Sequence, residues 1–267
     1  MNIYLFELGM YKKSIVIWSI AISFWIIFYL MFFPMIAGDE AAFDIIMEEF
    51  PEEFLAAFGM NSDLPMSSIL GYFGLTFGMA QIPIAIQAAN YGFGTLSIEE
   101  RELTADFLLT KPITRRKIIV SKFFAALTGL TIVNACIWVS SILAIYLFKD
   151  GQTVDLGKVF ILLSSITLFQ LFFLSVGMAI SVSVKKVGSV LSFSMGLSFG
   201  LYILNSLNSI FSSGFLGIFS PYTHFNPTYI LVEGSYDIVY TLISVIIITI
   251  SLTMSYFLYL KRNIHSL

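Results

Sequence analysis

Charged residues and cysteines are scarce in this chain of 267 residues. Only 12% of the residues are charged and 58% are hydrophobic, with a mean hydropathy of +0.89. A soluble domain has about one-quarter charged residues, so the composition excludes that class and indicates an integral membrane protein. The single cysteine, Cys136, excludes an internal disulfide. With only two histidines, His224 and His265, the chain offers no His/Cys metal cluster.

Ionisable residues are also missing from the centre of every long apolar run. Proton relays, voltage sensors and many ion-coupled carriers need such residues. Their absence argues against a proton-coupled secondary transporter and against a membrane hydrolase, whereas sodium coupling through carbonyl and hydroxyl oxygens stays open. The chain has no G-x-x-x-x-G-K-[ST] loop, so it cannot cradle nucleotide phosphates in that way itself.

Long apolar runs are abundant instead. Because a membrane-spanning helix needs about 20 mostly apolar residues, we predict six spans and an all-α integral membrane fold with a single transmembrane domain over residues 1–267. The first run is longer than the apolar core of a signal peptide, so we expect it to be retained. The predicted spans cover about 15–36, 69–96, 118–148, 157–184, 187–211 and 238–260.

The basic residues predict the orientation of these spans, since Lys and Arg favour the cytoplasmic side. With a cytoplasmic N terminus, all but Lys149 and Lys158 of the 14 Lys and Arg residues lie in cytoplasmic segments. We therefore predict a multi-pass protein of the cell membrane with both termini in the cytoplasm. The cytoplasmic bases are Lys12, Lys13, Arg101, Lys111, Arg115, Arg116, Lys117, Lys122, Lys185, Lys186, Lys261 and Arg262.

The segment between the first two spans, Asp39–Asp63, is acidic and contains no base. Its apolar residues recur at steps of three and four, which predicts an amphipathic helix that is interrupted or restarted at Pro51. We interpret it as a helix on the outer membrane surface, because charge runs are usually solvated. The alternative is an acidic vestibule for cationic cargo. The apolar residues are Phe43, Ile46, Met47, Phe50, Phe54, Ala57 and Phe58.

Uncharged polar residues occur inside the spans. Because such groups need hydrogen-bond partners in hydrocarbon, most are expected to join helices to one another. The alternative is a polar translocation path, for which the candidates are Gln81, Gln87, Asn90, Asn134, Asn205 and Asn208; Gln170 is a further intramembrane amide. Two GxxxG spacings, Gly74–Gly78 and Gly196–Gly200, favour close helix contact in a bundle or a dimer. Pro83 suggests a kink in the second span.

The segment Ser97–Phe123 concentrates charge between the second and third spans. Ser97 and Glu100 form a capping box, which predicts the start of a helix over about 98–110. An apolar stripe of Leu103, Phe107 and Leu108 makes this helix amphipathic, and Pro112 ends it. Thr114 then caps the third span. Topology accounts for the bases Arg115, Arg116 and Lys117, but it does not account for the capped helix before them.

This segment resembles the cytoplasmic coupling region of type-2 ATP-binding-cassette (ABC) permeases. The family shows an acidic residue, Gly-Thr, Leu-Leu, Pro-(Ile/Val)-(Ser/Thr)-Arg and a later Lys. The matching residues are Glu100 or Glu102, Thr104, Leu108-Leu109, Pro112-Ile113-Thr114-Arg115 and Lys122; Leu103 departs from the usual Gly. A second stretch, Phe219–Leu231 ("FSPYTHFNPTYIL"), resembles the family's Ser-Pro-Phe…Tyr-Phe…Pro pattern on the outer side. The resemblance covers nearly the whole chain.

The resemblance implies the permease subunit of an exporter, which pairs with a second permease copy or a paralogue and with two cytoplasmic ATPases. ATP and Mg would bind to the ATPases, with no cofactor and no enzymatic activity in this chain. The cargo classes left open are hydrophobic or cationic peptides, antimicrobials, lipid-like molecules and ions. The residues expected to dock the ATPase are Glu99, Glu100, Arg101, Glu102, Leu103, Asp106, Phe107, Leu108, Arg115, Arg116 and Lys117.

Three other classes compete with this interpretation. An ion-coupled secondary transporter would work alone under an ion gradient, without ATP. A membrane scaffold or sensor would bind a partner and move nothing. A membrane enzyme is the least favoured class, because no nucleophile–base pair or carboxylate pair can be placed in or near the spans.

Overall fold

The computed structural model describes residues 3–38, 50, 51, 55, 64–101, 114–184, 187–211 and 214–261, with the backbone alone described for 96–101. All regular secondary structure in these ranges is helical. Six helical segments of the described residues are long and apolar enough to cross a membrane, which confirms the predicted number of spans. The helices are α1 Ile3–Leu30, α2 Phe33–Gly38, α3 Ile69–Arg101, α4 Arg115–Phe148, α5 Leu156–Ser183, α6 Val190–Phe211, α7 Pro221–His224, α8 Pro227–Glu233 and α9 Ile238–Lys261, with a 3-10 turn at Leu216–Phe219.

The first helix begins well before the predicted first span. α1 includes residues 3–14, because these contain no proline and their buried side chains lie on the same side of the helix as those of the predicted span. Ile3, Glu7 and Ile15 are buried on that stripe and so join the bundle. The predicted outer helix over 39–63 falls almost entirely outside the described residues.

The helix start predicted at Ser97 is wrong. α3 runs without a break from Ile69 to Arg101, through both Pro83 and Ser97. No glycine or proline lies between Gly94 and Pro112 to end it, so the local capping signal of Ser97 does not interrupt an established helix. Residues 102–110 of the predicted coupling helix lie outside the described residues. By contrast, the predicted cap of the third span is confirmed, since the Thr114 hydroxyl accepts a hydrogen bond from the Lys117 amide.

The core of the bundle is the contact between α3 and α5. The two backbones approach each other at Gly92, where an added Cβ would collide with the Leu174 carbonyl, and at Gly177, where it would lie 3.1 Å from the Ala89 oxygen. α1 packs against α4, α9 packs against α5, and α6 packs against α3. α6 and α9 therefore pack directly on the two central helices, whereas α1 packs mainly on α4.

The link between α6 and α9 folds back into the bundle rather than across its surface. Pro221 starts α7, and the Asn226 side chain caps α8, which ends at Gly234 with φ of 65°. Phe225 is fully buried, and its carbonyl accepts a hydrogen bond of 2.8 Å from the Gln81 amide. Gln81 lies about 18 Å along α3 from its start, at 1.5 Å per residue. We call residues 214–237 the inserted segment.

Candidate functional site

A buried ion pair joins α1 to α4. The Lys122 ammonium lies 3.1 Å from a carboxylate oxygen of Glu7, and their side chains are only 1% and 7% exposed. Both residues are near the end of the bundle at which α1, α4 and α6 begin, which we call the basic end. From the sequence, Lys122 was assigned to the cytoplasmic bases and Glu7 was assigned no role. The ion pair was therefore not predicted.

Tyrosines reinforce the ion pair on two sides. The Tyr4 hydroxyl is 3.0 Å from the Thr128 hydroxyl of α4, and the Tyr11 hydroxyl is 3.3 Å from the Thr95 hydroxyl of α3. The rings of Tyr11 and Tyr91 lie 4.4 Å apart. The first three turns of α1 are therefore held to both α3 and α4 by polar and aromatic contacts.

A cavity of about 310 Å³ opens beside this pair, between the starts of α1 and α6 and the last part of α3. Its described lining comprises one carboxylate, one phenol ring, one amide, one hydroxyl and several apolar side chains, with no cationic side chain among these residues. The lining residues are Glu7, Met10, Tyr11, Asn90, Gly94, Ser189, Val190 and Leu191.

The foot of α4 presents the predicted docking bases. Arg116 and Lys117 are exposed, and Arg115 is half-buried with its guanidinium 3.5 Å from the Leu260 carbonyl at the end of α9. The backbone of Glu99, Glu100 and Arg101 forms the last turn of α3. Glu102, Leu103, Asp106, Phe107 and Leu108 lie outside the described residues. The docking assignment of the whole set stays a prediction.

The opposite half of the bundle holds a polar network around the inserted segment. The Tyr222 hydroxyl lies 2.8 Å from the Ser198 hydroxyl, and the Thr223 hydroxyl donates to the Asn205 side-chain oxygen at 2.8 Å. The Gly217 amide donates to the Asn208 side-chain oxygen at 3.0 Å. α6 therefore holds the inserted segment through side chains spread over three helical turns.

His224 is the titratable centre of the inserted segment. Its Nε2 lies 3.1 Å from the Ile218 carbonyl, which can only accept, so Nε2 carries the proton of the neutral ring. Nδ1 then accepts from the Ser244 hydroxyl at 2.6 Å, and the ring stacks on Tyr240. Burial lowers the pKa of His224 below its ordinary value, and the hydrogen bond to Ile218 opposes this shift. The ring is therefore neutral at pH 7.

In the part of the chain that the structure describes, the six candidates for a translocation path lie at separate places rather than in one channel. Gln81 and Asn205 line a small polar pocket under the inserted segment, whereas Asn90 lines the cavity at the basic end. Gln87 accepts from the Gln170 amide at 3.4 Å, joining α3 to α5. Asn134 is buried in α4, and Asn208 holds the inserted segment. The path itself stays a prediction.

Six apolar helices with a basic end and polar side chains between them define an integral membrane protein. Residues 1–264 match the family model described as ABC-2 family transporter protein. The chain therefore belongs to that family, which confirms the family resemblance, whereas the roles of the individual motifs stay predictions. No curated protein matches it. It is a multi-pass membrane permease subunit of an ABC transporter, a family that works with ABC ATPase partners.

Proposed function

We propose that this permease is an exporter subunit, driven by two separate ATPase subunits that carry ATP and Mg. The observation that supports it most is the foot of α4, where the exposed bases Arg116 and Lys117 lie just before the buried Lys122. A force applied to this foot from the cytoplasm would be transmitted to α1 through the buried contact of Lys122 with Glu7. The ATPase docks on the segment that joins α3 to α4, at the residues predicted from the sequence.

The segment that joins α3 to α4 lies between two helices that make different contacts in the bundle. α3 is the central helix, held to α5 by the backbone approach at Gly92. α4 is tied to α1 by the pair of Glu7 and Lys122 and to α9 through Arg115. Movement of this segment when ATP closes the ATPases would therefore displace the core and the outer helices together.

The second permease copy is proposed to bind along α6. In the most apolar stretch of α6 only 11% of the residues are buried, against 61% in α3 and in α5. Gly196 and Gly200 have open space beside them, so the GxxxG surface is free for another helix. A dimer through α6 would enclose the exposed sides of α3 and α6, and with them the pocket of Gln81 and Asn205 and the cavity of Asn90.

The orientation predicted from Lys and Arg completes the proposal. Both termini and the basic end face the cytoplasm, and the inserted segment lies in the outer half of the cell membrane. Cargo would enter from the basic end and leave past the inserted segment. This chain would bind no nucleotide and catalyse no reaction itself.

Reversal of the bases at the foot of α4 tests the proposal. The triple change of Arg115, Arg116 and Lys117 to Glu is expected to abolish ATPase co-purification or transport-coupled ATP hydrolysis. Lys149→Glu, at the opposite end of α4, should change neither. Accessibility of an introduced terminal cysteine shows whether the topology is preserved. A triple variant with normal topology, assembly and coupled hydrolysis would refute docking at this foot.

The secondary transporter and the scaffold make different predictions. In proteoliposomes, the exporter requires its ATPase and ATP. A chain that moves cargo alone under a sodium gradient would be a secondary transporter, and a complex with normal assembly but no transport would be a scaffold.

A further inference from the structure

The cavity beside Glu7 has the composition of a binding site for a positively charged amphiphile. We propose that it binds the ammonium group of an amphiphilic amine, with the carboxylate of Glu7 as the anionic partner and the apolar rim beside the alkyl chain. As a statement about cargo, this inference rests on the proposed export function. As a statement about binding, it rests on the cavity alone.

Glu7 can accept a second partner. One of its oxygens faces the Lys122 ammonium at 3.1 Å, and among the described residues Glu7 takes part in no side-chain hydrogen bond and no other ion pair. The residue is 95% removed from solvent but lines the cavity, so its remaining acceptor capacity is directed there. A carboxylate has room for about four hydrogen-bond donors. Lys122 is not among the described lining residues of the cavity.

The rest of the lining also favours a cation. Tyr11 contributes an aromatic ring, and cations are attracted to aromatic faces. Asn90 contributes an amide, and Ser189 contributes a hydroxyl, both of which offer oxygen acceptors. An anionic group entering this space would be repelled by the Glu7 carboxylate, and an apolar one would bring it no second donor.

The size and the rim of the cavity fit a headgroup with a short stretch of chain. A volume of about 310 Å³ lies at the small end of the range for ligand sites. Met10 and Leu191 are 44% and 51% exposed, so apolar side chains border its opening. An alkyl chain attached to the bound ammonium group would lie against them.

Measurement of amine binding to the full chain tests the proposal. The full chain in phosphatidylglycerol nanodiscs is titrated with radiolabelled dodecylamine and with radiolabelled dodecanol, which has the same chain without the charge. The wild type is expected to bind the amine more tightly. Glu7→Gln should weaken amine binding by about tenfold or more, because a hydrogen bond to a charged group is lost, and should leave dodecanol unchanged. Equal affinity for the two probes, or an unaffected Glu7→Gln variant, would overturn the proposal.

A matched pair of glycine variants tests the location. Gly94 lines the cavity and an added Cβ there meets nothing within 4 Å, so Gly94→Leu fills the site without a clash at Cβ. Gly9 is exposed on α1 with equally open space and does not line the cavity. We expect Gly94→Leu to abolish saturable amine binding and Gly9→Leu to retain it. Normal binding by Gly94→Leu would place the amine elsewhere.

Folding and the source of the amine are controlled separately. If Glu7→Gln fails to fold, the double variant Glu7→Leu with Lys122→Met removes both charges and should still lose amine binding; retained binding would refute the carboxylate's role.

Replacing the lipid by phosphatidylethanolamine asks whether a lipid headgroup supplies the ammonium group. Competition with dodecylamine identifies a lipid ligand, and its absence together with Glu7-dependent binding identifies a free amine.

This test can fail independently of the proposed function. Co-purification with the ATPase does not depend on the cavity, so loss of amine binding with an intact complex would remove only this inference. Glu7-dependent amine binding by a chain that recruits no ATPase would remove the exporter proposal instead.

Discussion

At the scale of single residues, the informative positions are those that are buried and polar. Lys122 and Glu7 form an ion pair across 115 positions of sequence, inside a chain with few charges. A charge removed from water costs several kcal/mol unless it is paired. The pair is therefore a fixed contact between α1 and α4. No local pattern predicts it, because each residue alone is typical of a charged end of a membrane helix.

Removal of one partner should be far more damaging than removal of both. Glu7→Gln removes the carboxylate 3.1 Å from the buried Lys122 ammonium and is expected to destabilise the fold by about 3–5 kcal/mol. The double variant Glu7→Leu with Lys122→Met replaces the pair by apolar side chains and should recover most of that loss. Thermal unfolding of the detergent-solubilised protein measures both effects. Glu233→Gln, which changes an exposed carboxylate, is the control. Equal losses for the single and double variants would contradict a paired contact.

His224 predicts a pH dependence of stability in the inserted segment. Its pKa is lowered by burial, so the unfolded chain binds a proton more readily than the folded one. The stabilisation is complete above the ordinary histidine pKa of 6.5 and falls as the pH is lowered through that value. Among the described residues, the groups that act on the ring are Ser244 and Tyr240 of α9, Phe172 of α5, the backbone of Ile218 and Gly217, and the charge of Asp237.

The measurement compares the wild type with His224→Gln. Between pH 7.5 and 5.5 the melting temperature of the wild type should fall more than that of the variant, whose amide does not titrate in this range. Because all the carboxyl groups are common to both proteins, only the difference between the two slopes reports on His224. Parallel slopes would show that the ring does not contribute.

At the scale of elements, sequence patterns predicted the apolar helices and missed how they pack. The runs of about 20 apolar residues gave six spans, because the length required by a bilayer is a local property. The inserted segment was recognised as a motif on the outer side, but its burial depends on α3, α5 and α6 together. The GxxxG rule anticipated contact at Gly196 and Gly200, which are open in this chain. Close backbone contact occurs at Gly92, whose partner Leu174 is distant in sequence.

A pair of alanine variants isolates the contact between α3 and α5. Gly92→Ala places a methyl group against the Leu174 carbonyl, so the two central helices must separate. We expect a loss of about 1–3 kcal/mol, the usual cost of overpacking. Gly94→Ala changes the same helix two residues later, where the Cβ has open space, and should be neutral or slightly stabilising. Thermal unfolding distinguishes the two, and equal stability would show that α3 and α5 are not tightly packed at this point.

At the scale of the whole molecule, burial separates α6 from the central helices. α3 and α5 are surrounded by protein, whereas α6 presents most of its length outward while also holding the inserted segment through Ser198, Asn205 and Asn208. A helix that connects to the interior on one side and carries open glycines on the other is suited to join two permeases. The position of a second permease on α6 could not be predicted from this sequence, because that contact is made with another chain.

Disulfide cross-linking along α6 tests whether this helix contacts a second permease copy. Because Cys136 is the only cysteine, Cys136→Ser gives a cysteine-free background. Cysteines are then introduced singly at Phe199, Ile203 and Ile210, which share the exposed side of α6, and at Val139 of α4 as a control that is more exposed than any of the three. In a two-fold symmetric dimer a residue near the axis meets its own copy. Oxidation in membranes should therefore give dimers from at least one α6 position and none from Val139. Dimers from Val139 alone would move the interface to α4. Pull-down of an untagged copy by a tagged one distinguishes a homodimer from pairing with a paralogue.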